Sequence, residues 1–287
     1  MAALVGAVAL CVELAGARSQ GHRPIEVSVT PSTLHPGDVA RVEVSGAVDG
    51  DQLTGTAFKQ EITFHFDPQR RKHHALVGID LDTTPGGYPL RIHRAGTEQP
   101  AAVTLRVLPK QFAERRLRVP GSFVEPPPEA LEQIKRDSAV LAQAYARVSP
   151  RKWTDAFILP VDGKPTSNFG TRSFYNGQPR SPHAGVDFVG KTGTPIRAAN
   201  RGEVVVAAPM YFTGNTVIVD YGDRLFSVFA HLSELHVASG DIVEPNTIVG
   251  LVGATGRVTG PHLHWSVRLN GARVDPLSLV AATSGAP

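Results

Sequence analysis

From Phe157 to about Leu279, glycine or proline interrupts almost every apolar run, and no amphipathic stretch of helical length lies between the interruptions. The runs "GTPIRAANRGEVVVAAP", "GNTVIVDYG", "LFSVFAHL", "DIVEPNTIVGLVG" and "HLHWSVRLNG" carry β-branched and aromatic residues instead. A chain that must turn this often can build strands and little else. This half is expected to be a compact antiparallel sheet with tight turns.

The preceding half shows strand patterning of another kind. "IEVSVTP", "DVARVEVSG", "EITFHFD", "HALVGIDL", "YPLRIHR" and "AAVTLRVL" alternate apolar and polar residues between turns, which predicts a small antiparallel sandwich. The corner "TTPGGYPLRI" resembles an edge of immunoglobulin-like sandwiches. His65, His73, His74 and His93 fall here. With no acidic or cysteine partner at ligand spacing, they are expected to be surface or half-buried strand residues.

Between the two lies "VPGSFVEPPPEALEQIKRDSAVLAQAYARVSP", with Leu131, Ile134, Leu141 and Tyr145 near helical spacing. Pro127 and Pro128 suit a first turn and Pro150 a stop. The predicted organisation is mainly β: an immunoglobulin-like sandwich over 24–108, a linker over 109–150 whose helix packs one domain onto the other, a second β domain over 151–280 and a frayed tail over 281–287.

Length and composition allow two such cores. The chain has 287 residues, 41% hydrophobic and 19% charged, which excludes a disordered chain. Net charge is +3, and arginine and lysine are scattered with no basic stripe. Nucleic acid is not an expected partner. The start "MAALVGAVALCVELAGARSQ" has an apolar run from Ala2 to Val12 followed by Ala15-Gly16-Ala17, the small-x-small pattern of signal-peptide cleavage. A signal peptide over 1–17 and an exported, periplasmic mature protein are expected. No basic residue precedes the run, so a start codon further upstream is one reading. The run is too short to span a bilayer, so no transmembrane anchor is expected in the mature chain. Cys11 is the sole cysteine; cleavage after Ala17 leaves neither thiol nor disulfide.

The chemistry concentrates in histidines. His183 and Asp187 in "SPHAGVDFVG" are joined by Ala184-Gly185-Val186, read as a flexible or extended link. Such a pair is weak by itself. His262 and His264 in "GPHLHW" sit two apart in a strand-like segment, so both point to one face, roughly 6–7 Å apart. His231 in "VFAHLSEL" completes the set. Imidazoles with a carboxylate form a ligand set that suits Zn²⁺. Two arrangements stand at this point. If His183, Asp187, His262 and His264 all ligate, the site is closed and structural. If three do, one position stays open for a water whose pKa falls to about 7.

The stretch "SNFGTRSFYNGQPRSPHAGVDFVGKTGTPIRAANRGEVV", followed by "GNTVIVDYG", "VFAHLSEL", "IVGLVGATGRVTGPHLHWSVRLNG" and "VDPLSL", resembles the lysostaphin-type (LytM-type) zinc metalloendopeptidases that cut peptidoglycan peptides. The resemblance covers roughly residues 157 to 280 in the family's order. It implies one Zn²⁺ per chain held by His183, Asp187 and His264, with His231 and His262 catalytic. Asn215 in "GNTV" and Arg172 in "FGTR" also match recurrent family positions, implying cleft-shaping or support. In place of the histidine that often precedes the glycine in relatives, this chain has "VDYG".

The implied function is an exported zinc endopeptidase acting on peptidoglycan, on direct D-alanyl to diaminopimelate cross-links or else on glycine bridges. A rival is a non-catalytic wall-binding module that regulates other hydrolases; it predicts missing ligands, and none is missing. The N-terminal domain is left with three roles: positioning the second domain, binding wall or a partner, or covering the cleft.

Overall fold

The computed structural model describes residues 24–119, 121, 125–154 and 156–284. The expected signal peptide, Cys11 and the last three residues lie outside the described residues.

Eight strands form the N-terminal half: β1 (Glu26–Thr30), β2 (Val39–Ser45), β3 (Leu53–Ala57), β4 (Gln60–Thr63), β5 (His65–Asp67), β6 (Lys72–Gly78), β7 (Gly86–Arg94) and β8 (Ala101–Val107). They make two four-stranded antiparallel sheets, ordered β1-β2-β6-β5 and β4-β3-β7-β8. Alternate residues such as Val42, Val44, Leu90 and Ile92 meet in one core, as the strand period requires.

Strand β6 departs from that pattern, because all its residues after Lys72 are buried. One face joins the sandwich core through Ala75 and Val77, while Leu76 joins the core of the second half. This corrects the placement of His73 and His74, which are both buried rather than at the surface. Arg151 Nη1 donates to His74 Nε2 at 2.7 Å. His65 Nε2 lies 2.5 Å from Asp223 Oδ2. The acidic partner absent from local spacing comes from 158 residues away.

After the sandwich come β9 (Glu114–Leu117), a 3-10 turn (Pro128–Ala130) and α1 (Leu131–Tyr145). The remainder comprises β10 (Arg172–Tyr175), β11 (Gln178–Pro179), β12 (Gly185–Val189), β13 (Pro195–Arg197), β14 (Gly202–Met210), β15 (Gly214–Asp220), β16 (Leu225–Leu235), β17 (Ile242–Val243), β18 (Ile248–Val252), β19 (His262–Leu269), β20 (Ala272–Val274) and α2 (Pro276–Thr283). The main sheet runs β12-β19-β16-β15-β14-β17, with β13, β18 and β20 attached to it. Trp265, Phe229, Val217, Val219 and Leu263 are fully enclosed beneath it.

The linker helix is not the joint between the halves. The C-terminal part of α1 packs Leu141, Ala144 and Tyr145 on Val206, Ile218 and Phe226 of the main sheet, whereas Leu131, at its start, is 53% exposed. Helical spacing identified the helix, but only half of its apolar stripe is covered. The halves instead meet directly. Val39, Leu76 and Leu81 of the sandwich enter the second core, and Arg273 binds Asp80 and Asp82, each at 2.7 Å. Helix α2 was not expected, and it carries the chain to Thr283 before any tail. Its start was readable in "VDPLSL": Asp275 accepts from Leu277 N as N-cap, and Pro276 occupies the first turn.

Candidate metal centre and cleft

Strand register assembles the site. In the β12–β19 ladder Asp187 stands directly opposite His264, while Val186 stands opposite Trp265. Because side chains alternate, Val186 and Trp265 go to the core, and Asp187, His262 and His264 share the other face. His183, just before β12, is fixed by its backbone, which donates to Thr171 O at 3.0 Å while its carbonyl accepts from Gly170 N at 2.7 Å.

Three donor atoms then converge. His183 Nε2 lies 3.0 Å from Asp187 Oδ1 and 3.0 Å from His264 Nδ1, and His264 Nδ1 lies 2.9 Å from Asp187 Oδ1. Three ligands around a tetrahedral zinc at its usual bond lengths would stand about 3.3 Å apart. His183 Nδ1 lies 3.1 Å from the carbonyl of Asn168. A carbonyl can only accept, so that nitrogen carries the proton, and the neutral ring turns its Nε2 lone pair inward. A lone pair, a carboxylate and a second imidazole nitrogen this close together need a positive centre among them, a metal ion or a proton on His264 Nδ1. The donor set and its size therefore fit a small divalent ion.

The electrostatics point the same way. Burial would raise the Asp187 carboxyl, but the imidazoles of His183 and His264 outweigh it and hold the group far below its usual range. Burial lowers His264, against an opposing pull from Asp187. An ionised carboxylate and a neutral imidazole are the ligating forms.

His262 and His231 complete the group without joining the triangle. His262 Nδ1 donates to Gly260 O at 2.9 Å, and its Nε2 is 3.9 Å from Asp187 Oδ1. His231 Nδ1 donates to Thr255 O at 2.9 Å. The two rings sit 4.8 Å apart, centre to centre. Each therefore presents Nε2, unprotonated in the neutral ring, to the cleft that both line. Burial pulls His231 down to about 4.

His231 reaches this place through a bulge. Phe229 pairs with Val217 and Leu232 with Asn215, so Ala230 and His231 face a single residue of β15. His231 has φ +68°, the left-handed backbone that a non-glycine residue rarely adopts. The extra residue redirects the side chain toward the cleft.

The other two expected positions differ. Asn215 donates from Nδ2 to Ser233 O at 3.3 Å, and its backbone N–H donates to Thr255 Oγ1 at 2.9 Å. It ties β15 to the loop whose carbonyl holds His231. Arg172 does not reach the cleft: it is exposed and directly precedes Ser173 on β10, so strand alternation turns the two apart.

Two features escaped the sequence reading. Of the two readings of its link, Gly185 takes the extended one, opening β12 opposite Ser266; what was not foreseen is its close packing, since a Cβ there would lie 2.5 Å from Trp265 O and 2.8 Å from His264 Cε1. Strand β9, read as linker, pairs in parallel with β10. Through Arg115, Leu117 and Val119 its segment forms one wall of the cleft. None of the described residues lining this cleft, about 680 Å³, belongs to the sandwich.

A Pseudomonas aeruginosa protein assigned to peptidase M23, of solved structure, is 35% identical and superposes with a TM-score of 0.68 over 86% of this chain and 95% of that one. The chain belongs to peptidase family M23. The model of that family matches residues 181–276, which include the donor triangle, His231 and His262 but neither Arg172 nor β9. Among curated relatives, the Neisseria meningitidis DD-carboxypeptidase/endopeptidase Mpg is 38% identical over 35% of this chain and 23% of its own length. The Vibrio cholerae peptidoglycan DD-endopeptidase ShyA is 37% identical over 41% of this chain and 28% of its own. The chain thus spans about a quarter of the length of the curated relatives it matches. M23 membership bears out the resemblance to the lysostaphin-type peptidases, and the mainly β fold is as expected.

Proposed function

We propose that the chain is an exported zinc-dependent endopeptidase that hydrolyses peptide bonds of peptidoglycan, with His183, Asp187 and His264 holding the ion. The observation that carries the reading is the convergence of exactly one carboxylate and two imidazole donors at 2.9–3.0 Å, with two further imidazoles turned toward the same cleft. Zinc bound by three protein ligands supplies a Lewis acid for the scissile carbonyl and a water acidified to near neutrality.

The chain's own residues supply the rest. Asp187 and His264 are locked in register by the β12–β19 ladder, so the donor set is preorganised. His231 is kept neutral near pH 7 by burial and can accept a proton at Nε2. His262, its Nδ1–H fixed on Gly260 O, offers a second Nε2. Once protonated, either ring can stabilise the carbonyl oxygen as charge develops there, or return the proton to the departing amine.

Direct D-alanyl to diaminopimelate cross-links are the proposed substrate, supported by the names of the Neisseria and Vibrio relatives; glycine bridges are the alternative. Export to the periplasm rests on the same relatives and on the apolar start of the sequence. Among the described residues no helix is long and apolar enough to cross a membrane. A non-catalytic wall-binding module is disfavoured, since it would not need the complete donor set. In His264→Ala and Asp187→Ala, zinc content and hydrolysis of purified sacculi should both be lost; undiminished cleavage would overturn the assignment.

A further inference from the structure

One wall of the cleft, built by β9 and β10, is cationic. Strands β9, β10 and β11 bring Arg115, Ser173 and Arg180 into one row. Ser173 pairs with Arg115, and its carbonyl accepts from Arg180 N at 2.9 Å. Side chains in such a row share a face. It is the face of Tyr175 and Leu117, two residues along their strands, which line the cleft with Arg115.

Neither arginine of the row has an acidic partner within 4.0 Å among the described residues. Arg115 makes only a long contact, 3.4 Å, to Ser173 Oγ. Arg180 stacks at 5.7 Å over the Tyr175 ring, and its Nε and Nη2 are buried without a hydrogen-bond acceptor. Arg180 thus stands behind Tyr175, which lines the cleft, and adds its charge to that wall from the second layer. Arg257 lines the same cleft, lying 4.3 Å over Phe212. Burial lowers its pKa and Arg180 pushes in the same direction, which places these two cations within electrostatic reach of each other. Among the described residues lining the cleft Asp187 is the only acidic one, and the donor triangle already uses it.

We infer that Arg115 and Arg257, with Arg180 adding its charge from behind Tyr175, form a carboxylate subsite beside the metal centre, so that the peptide taken by this cleft carries a free carboxylate next to the scissile bond. The inference rests on the hydrolase reading and adds the determinant of its specificity. A guanidinium row is matched to carboxylates by its planar donors. A diaminopimelate residue carries a carboxylate on the carbon that bears the cross-linking nitrogen. A glycine bridge has none at that place.

The test uses two cross-linked muropeptide dimers, one with free carboxylates and one with those groups converted to carboxamides, given to the zinc-loaded full chain. The carboxylate form should have a kcat/KM about tenfold higher, and the ratio should fall toward one in Arg115→Gln and Arg180→Gln. Partial unfolding of a variant cancels in that ratio. A wild-type ratio near one, or a ratio unchanged in both variants, overturns the subsite. If wild type cleaves neither compound, the hydrolase reading fails, and calorimetric binding of the same two compounds decides the subsite separately. Equal affinities overturn it, whereas tighter binding of the carboxylate that both variants lose supports it.

Discussion

Replacing Gly185 with alanine tests whether the close approach of β12 and β19 builds the metal centre. The added Cβ would sit 2.5 Å from the Trp265 carbonyl oxygen and 2.8 and 2.9 Å from His264 Cε1 and Nε2, against 3.4 Å for ordinary van der Waals contact. Unless Gly185 itself shifts, the backbone oxygen must therefore retreat by about 0.9 Å and the imidazole by about half an ångström. Trp265 is fully enclosed, so the ladder resists the first movement, and overpacking of this kind costs about 1–3 kcal/mol. The second movement acts on a donor triangle only 2.9–3.0 Å on edge, where half an ångström is the tolerance of a functional site. Displacing a supporting contact of this kind weakens metal binding by roughly 10–100-fold. Zinc affinity, read by competition with a chromophoric chelator, should fall by that factor, and the thermal midpoint of the metal-free protein should drop. Affinity within about twofold of wild type would refute the reasoning.

His231 separates chemistry from strain. His231→Ala and His231→Gly should both lose hydrolysis of sacculi, but the glycine variant should be the more stable in urea by about 1 kcal/mol, because φ +68° favours glycine; equal stabilities would remove the strain from the account. At the seam between the halves, burial first and then the Arg151 charge hold His74 down at about 4, below its ordinary 6.5. The unfolded chain takes up this proton before the folded one does. Stability is therefore full above pH 6.5 and declines as pH falls toward 4, by up to about 3 kcal/mol. His74→Gln, which can still accept from Arg151, should flatten that part of the profile in pH-dependent thermal unfolding, and an unchanged slope would sink the assignment.

The parts of the site legible in the sequence are those governed by strand period. His262 and His264 had to share a face, and the structure puts them on one; the core on the other side of β19 follows from Leu263, Trp265 and Val267 in the same pattern. What stayed hidden depends on pairing between distant segments. Nothing local in "VFAHLSEL" announces the bulge that aims His231, because it arises from two residues of β16 opposing one of β15. Similarly, the sequence leaves Gly185 either flexible or extended until Trp265 and His264 are placed against it. The burial of His74 requires a second domain on the outer face of β6, the face it shares with Leu76, which no alternation within β6 can reveal.

The same dependence on distant pairing gives the sandwich a mechanical connection to a cleft it does not line. Phe169 packs against Gly37 of the sandwich on one side and meets Phe112 at 6.3 Å on the other. Phe112 in turn lies over Gly170, whose φ of +80° and lack of a side chain leave room for the ring. Two residues beyond Phe112 begins β9, with Arg115 on the cleft wall. Docking of the halves, secured by Arg273 on Asp80 and Asp82, thus fixes Phe169, then Phe112, then the strand that faces the substrate. A sandwich that covered the cleft would have residues in its lining, and among the described residues it has none. Its contacts instead buttress one wall, through Phe169 and Phe112.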